Sequence, residues 1–328
     1  MSRRVTQRDI ARMTGVSQAT VSLVLNNRTG DDVRIAPETR QRVLDAIRAT
    51  GYVADPVARR LVSGRNRILG VFTYEPVFPA TAADFYHPFL VGIEQRAEQL
   101  GCDLLLFTSH AESRRIFHAD SRIGIADGTI LLGRRVDRDD LGRLVGEGHA
   151  FVSVGRRDDA GGPVPCVGAD YPAAVAALLE RAAALGHTRI GYLGTGGPAE
   201  SHADRLRGFL AGGGAHLVHL PQPSRQWPAA IGRERLTAVF LEEHADAVDL
   251  VAALRADGRE VPGDVSVVAL GEPSGAGPVD ETITRLRIPR REMGWQAVDQ
   301  LTEAIEGGGV VQRLLPCTVH EGATLGAI

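Results

Sequence analysis

Apolar and polar positions along the first 26 residues repeat with a helical period. Ile10, Ala11 and Met13 give a short first helix one apolar side, and Val16, Val21, Val24 and Leu25 do the same for a second. Gly15 lies between them, where a tight turn needs a residue tolerant of positive φ. Ala11 is small enough for two helices to cross closely, and Ser17 suits the N-cap of the second helix. The spacing therefore predicts a helix-turn-helix over Gln7 to Asn26. Its second helix keeps Gln18, Ala19, Thr20, Ser22, Leu23 and Asn26 outward, a set of short donors, acceptors and methyls suited to a DNA major groove. A third helix is predicted from Pro37 to about Thr50, stopped by Gly51, with Val43, Leu44 and Ile47 as its core stripe and Tyr52 closing the small core.

The segment Asp55 to Ser63 has a cap-like Asp, a Pro in the first turn and Val57, Ala58 and Leu61 on one face. It is too short to be a stable helix alone, so it must fold against something else. From Arg67 the pattern changes to short apolar runs separated by helical stretches. Strands are predicted at Ile68–Tyr74, Asp103–Phe107, Gly128–Gly133 and Phe151–Gly155, then at Arg189–Gly194, His216–Leu220, Thr237–Leu241 and Val265–Leu270. Helices are expected around Phe89–Leu100, Asp139–Gly146, Pro172–Leu185, Ala245–Ala256 and Glu292–Ile305. This alternation predicts α/β architecture, with parallel sheets covered by helices on both faces. Two similar sets of elements imply two lobes with a cleft between them, where the carboxyl ends of strands would meet a ligand. The TRLRI run before the last helix is expected to cross back with it and complete the first lobe.

Charge sharpens the division. The net charge of −3 conceals a head, residues 1–65, with twelve Arg against six acidic residues, and a remainder with 25 against 34. A basic head on an acidic body implies a polyanionic partner for the head alone. No run of about 18 apolar residues suggests a membrane span, and the polar N-terminus is unlike a secretory signal, so a cytoplasmic protein is expected. Cys102, Cys166 and Cys317 have no metal-ligand or CxxC spacing and read as reduced core thiols; no metal or cofactor is expected.

Val5 to Asn26 resembles the head of the LacI family of bacterial transcriptional regulators. The resemblance continues through VRIAPETRQRVLDAIRATGYVADPVARRL and, more weakly, through LGHTRIGYLG, DVSVVAL and VHEGAT. It implies an N-terminal all-α helix-turn-helix domain (1–54), a hinge helix and linker (55–66), and a two-lobed periplasmic-binding-protein-like α/β core (67–328, second lobe roughly 170–285). It also implies a homodimer on a palindromic operator. In the family the hinge helix forms on DNA and wedges a Leu into the minor groove; the matching residue is Leu61, with Arg59 beside it near phosphates. Gln18, Ala19 and Leu23 hold the base-reading positions, while Thr6, Ser17, Thr20, Ser22 and Asn26 hold phosphates or lock the helix. Leu23 departs from the Arg common there, so an Arg–guanine contact is not expected.

The resemblance also implies a small-molecule effector in the inter-lobe cleft. Phe85 and Tyr86 fall at an aromatic wall, Asp170 at the start of the second lobe's first helix, and Trp227 at a stacking position. The family's pocket Arg falls on Ala203 with Arg205 following, its Asn-Asp pair on Glu243 and His244, and its pocket Asp on Gly271 with Glu272 next. Losing all three disfavours an ordinary neutral sugar, because buried hydroxyls need partners. The implied function is a repressor whose lobes rotate on effector binding and so change the spacing of paired hinges. The alternative is an architectural or ligand-independent DNA-binding protein with a degenerate cleft. An enzyme is not expected: GYLGTGGP (Gly191–Pro198) is glycine-rich but matches no phosphate-loop pattern, and no nucleophile elbow or metal set occurs.

Overall fold

The computed structural model describes residues 5–25, 35–52, 65–76, 83–108, 115–118, 121–274 and 279–328. The chain divides into two compact units, residues 1–66 and 67–328.

In the first unit, α1 (Gln7–Thr14), α2 (Gln18–Leu25) and α3 (Pro37–Thr50) enclose Ile10, Ala11, Val21, Val24 and Val43, with Tyr52 packed at the edge. Each helix end has a visible cause. Thr6 caps α1 in a reciprocal box with Asp9, its hydroxyl accepting from the Asp9 N–H at 3.3 Å while its own N–H donates to Asp9 at 3.0 Å. Gly15 (φ 69°) and Gly51 (φ 61°) take the left-handed conformation that ends α1 and α3. The expected core position of Met13 is not occupied: it is 60% exposed, and Thr14 is buried instead. At 3.6 residues per turn Thr14 falls between Ile10 and Ala11, whereas Met13 lies outside that arc. The Thr14 hydroxyl is compatible with this site because it donates to the Ile10 carbonyl at 2.8 Å.

Among the described residues the second unit contains two six-stranded sheets. The first has the order β11-β5-β4-β3-β1-β2, all parallel: β1 (Ile68–Phe72), β2 (Asp103–Phe107), β3 (Gly128–Leu132), β4 (Phe151–Val154), β5 (Cys166–Ala169) and β11 (Gln312–Leu315). The second has the order β12-β10-β9-β8-β6-β7: β6 (Arg189–Leu193), β7 (His216–Leu220), β8 (Ala238–Leu241), β9 (Ser266–Ala269), β10 (Thr284–Arg287) and β12 (Thr318–His320), with only β12 antiparallel.

Helices cover both faces of each sheet. In the first lobe, α4 (Ala83–Gln99) and α10 (Arg290–Ile305) share one core through Phe89, Ile93, Met293 and Val298, while α5 (Arg138–Glu147) covers the other face through Leu141 and Leu144. In the second lobe, α6 (Tyr171–Ala184) and α7 (Glu200–Leu210) lie on one face, and α8 (Trp227–Arg233) and α9 (His244–Ala256) on the other.

The chain passes between lobes after β5, after β10 and between β11 and β12. TRLR therefore does not complete the first lobe as expected; it pairs with β9 in the second sheet, Thr284 opposite Val268. Ile283 and Leu286 hold it there, buried in the cores on opposite faces of that sheet. The following helix and β11 cross back, and the second lobe regains β12 beyond the boundary near 285.

Candidate functional site: a recognition helix and an inter-lobe cleft

On α2 the apolar face is spent on the core, and the remaining face is available to a partner. Val21 and Val24 are buried, whereas Ser17, Gln18 and Ala19 are exposed and Thr20, Ser22 and Leu23 half-buried. The Ser17 hydroxyl accepts from the Thr20 N–H at 3.1 Å, so Ser17 caps the helix and fixes its first turn. Gln18 lies near α1, its amide donating to the Gln7 side chain at 3.4 Å. Thr6 is exposed at the start of α1, and Arg42 of α3 donates to the Thr14 carbonyl at 3.1 Å, tying α3 to the end of α1. Asn26, Arg59, Leu61 and the hinge segment lie outside the described residues.

In the second unit, the carboxyl ends of strands from both sheets converge on a cavity of about 140 Å³. Of the sequence candidates, Phe85, Arg205, Glu243 and Gly271 line it. Tyr86, Asp170, Ala203, Trp227 and His244 do not. Tyr86 is buried in the first lobe's core with its hydroxyl donating to Glu75. Asp170 caps α6, accepting from the Ala173 N–H at 3.1 Å. Trp227 is core in the second lobe, its indole N–H donating to the Gln222 carbonyl at 2.8 Å.

Ala203 is off the cavity for a geometric reason. Along α7 the lining residues are Ser201, His202, Asp204 and Arg205, one helical face that skips position 203. The guanidinium that α7 brings to the cavity is that of Arg205. Glu243 takes its partner from α7 rather than from the adjacent His244. His202 approaches it at 3.0 Å, while His244 is buried at the start of α9. Burial pushes the Glu243 carboxyl up, but the His202 hydrogen bond and the nearby Arg205 and Arg134 outweigh this and hold it below its ordinary range.

Sequence reasoning missed the most charged part of the cleft. Arg156 and Arg157 follow β4 and reach α7 of the opposite lobe. Arg156 makes two bonds to Asp204, at 2.7 and 2.8 Å, and Arg157 one to Glu200, at 2.9 Å. Arg134 follows β3 with its guanidinium centre 4.3 Å from the Phe85 ring centroid. Arg290, at the start of α10, lies 5.0 Å from the same centroid and 3.2 Å from Glu272. The available signal was position: "GRR" directly after a buried strand sits where ligands meet parallel sheets.

The glycine-rich turn after β6 serves the protein's own carboxylate. The Gly196 N–H and the Tyr192 hydroxyl donate to Glu242, at 2.5 and 2.9 Å, and a Cβ on Gly194 would lie 2.3 Å from Glu242 Cδ. All three cysteines are free, and burial raises their thiols above the ordinary range, that of Cys317 to about 12. Among the described residues no group of three or more His, Cys, Asp or Glu could hold a metal, and no helix is long and apolar enough to cross a membrane.

A capped helix-turn-helix together with a two-lobed cleft defines a DNA-binding transcription regulator with an effector-binding core. Residues 6–55 match the model of bacterial regulatory proteins of the lacI family, and residues 179–325 a periplasmic binding protein-like domain. The chain is 30% identical to the HTH-type transcriptional regulator CelR of Thermobifida fusca, over 93% of each. It is 31% identical to the HTH-type transcriptional regulator reg1 of Streptomyces lividans, over 91% of this chain and 90% of that one. The fold is that of a lac repressor dimer bound to operator and the anti-inducer ONPF, with a TM-score of 0.71, 21% identity and coverage of 99% and 100%. A CelR–cellobiose complex gives a TM-score of 0.57 at 24% identity, over 96% of this chain and 98% of that one. The chain belongs to the LacI family of bacterial transcriptional regulators.

Proposed function

We propose that this protein is a cytoplasmic, homodimeric repressor that binds a palindromic operator and is controlled by a small molecule in the inter-lobe cleft; it is not an enzyme. The observation that carries the reading is α2, whose buried face holds it to the core while Ser17, Gln18 and Ala19 stand exposed at its capped end. Two such heads present one helix to each half of a two-fold site. Gln18 would pair with adenine, and Ala19 and Leu23 would contact apolar edges such as a thymine methyl. Thr6, Ser17, Thr20, Ser22 and Asn26 would hold phosphates or lock the helix, and Arg59 and Leu61 would act in the minor groove. Phe85, Arg205, Glu243 and Gly271 would contact the effector.

The two lobes are the bistable element. An effector shifts their arrangement only by binding one form better than the other, and the same free energy appears as a change in DNA affinity. The ligand-independent alternative is disfavoured by the cavity, which retains buried cationic groups with incomplete partners.

The test is selection of sites from random duplex DNA by the full-length protein at fixed salt. A palindrome with half-sites about one helical turn apart supports the proposal. Recovery of no symmetric site, with or without added metabolites, contradicts it.

A further inference from the structure

The cleft has a charge imbalance that its own acids do not remove. Among the described residues five arginines line the cavity. Two of them, Arg156 and Arg157, are discharged by Asp204 and Glu200 of the opposite lobe. The other three, Arg134, Arg205 and Arg290, share only Glu243 and Glu272 among the lining carboxylates, and Glu243 also accepts from His202. With Arg134 counted at the exposed edge of the cavity, one positive charge is left over.

The hydrogen bonding points the same way. Arg205 is 5% exposed and Arg290 6%, and the Nε of each is buried with no hydrogen-bond acceptor among the described residues. Glu272 lies 3.2 Å from Arg290 Nε, close enough for attraction but without hydrogen-bond geometry. Arg205 stacks over the Tyr171 ring at 4.3 Å, and it donates to the Glu242 carbonyl at 3.3 Å. Burial lowers the basicity of Arg290; Glu272 opposes this, while Arg134 and Arg205 add to it. Arginine does not deprotonate in proteins, so such a cluster is relieved by a counter-charge rather than by loss of a proton.

We propose that the effector carries an anionic group, a carboxylate or a phosphate, held by the guanidinium groups of Arg205 and Arg290 with Arg134 at the edge of the cavity. The Phe85 ring, with Arg134 and Arg290 each within 5.0 Å of its centroid, forms the wall against which the rest of the ligand packs. Guanidinium forks match both carboxylate and phosphate oxygens, and such bonds are about twice as strong as neutral ones. The inference rests on the reading of the cleft as the effector site.

The test is calorimetric titration of the full-length protein with three probes that share one ring: glucose, glucuronate and glucose 6-phosphate. Inorganic phosphate is titrated as a fourth probe that needs no organic scaffold. At least one anion is expected to bind ten times more tightly than glucose, and the better of the two identifies the group. Arg290→Gln is expected to weaken that anion at least tenfold, with Arg290→Lys recovering part of the loss. Arg134 is exposed, so Arg134→Gln keeps the fold and is expected to weaken it severalfold.

The proposal is overturned if no anion binds more tightly than glucose, or if Arg134→Gln and folded Arg290→Gln leave anion affinity unchanged. Site selection with the same preparation separates the two readings. An operator recovered without anion preference removes this inference alone, whereas no operator removes the regulator reading beneath it.

Discussion

Arg156 and Asp204 form a two-bond ion pair across the cleft, from the end of β4 in one lobe to α7 in the other, with Asp204 only 2% exposed. Asp204 also accepts from Arg207 at 2.6 Å, so one buried carboxylate ties two arginines together. Asp204→Asn keeps the shape and removes the charge. Hydrogen bonds to charged groups are worth roughly 1.5–3 kcal/mol, and a loss of about 2 kcal/mol is expected in urea unfolding. Small-angle scattering of the variant should show a more extended core. An unchanged scattering curve and midpoint would mean that the pair does not hold the lobes together.

The first lobe depends on a close helix crossing. A Cβ on Gly92 of α4 would lie 1.9 Å from the Arg291 carbonyl oxygen, and one on Gly294 of α10 would lie 2.2 Å from that of Phe89. Both obstacles are backbone and cannot rotate away. Gly92→Ala should therefore cost about 2 kcal/mol or more, in the range of overpacked cores. Gly146 of α5, with open space around its Cβ position, is the control: Gly146→Ala should be neutral or slightly stabilising. Thermal unfolding of the two variants checks the contrast.

Stability should fall on mild acidification. His149, His187 and His244 all sit below the ordinary imidazole value of 6.5, chiefly because burial disfavours the charged ring. The unfolded chain then takes up protons first, so this contribution is complete above 6.5 and is lost as pH falls through the lowered folded values. His187 is the most instructive, because its ring bridges the Thr237 hydroxyl at 3.1 Å and the Gly326 carbonyl at 2.9 Å. His187→Gln should lower the melting temperature at pH 7.5 and flatten the decline towards pH 5.5. A decline as steep as in the parent protein would place the titration elsewhere.

The head and the two sheets were legible because their signals are local. Ile10, Val21 and Val24 carry a helical period, and runs such as those around Ile130 or Val267 are buried on both faces of a parallel sheet. The strand Cys166–Ala169 is not expected from the sequence, because Val167 is its one β-branched residue, set between Cys166 and Gly168. Thr284–Arg287 is expected in the first lobe but pairs in the second, because its apolar residues say that it is buried and not where. The cleft was the least legible part. Arg156 meets Asp204 48 residues away only when the lobes approach, and no periodicity encodes such a contact. Trp227 shows the reverse error, since an aromatic at a family stacking position fills the core instead.

The most direct test of the central claim, that α2 reads DNA sequence, is site selection with the parent protein and Gln18→Ala in parallel at one salt concentration. The parent should recover a palindrome. The variant should recover the same palindrome with one position per half-site relaxed, at a cost of about 1–3 kcal/mol in affinity for the parent site. Two identical selected sites bound with equal affinity would contradict the placement of Gln18 against a base, and with it this account of how the head recognises its operator.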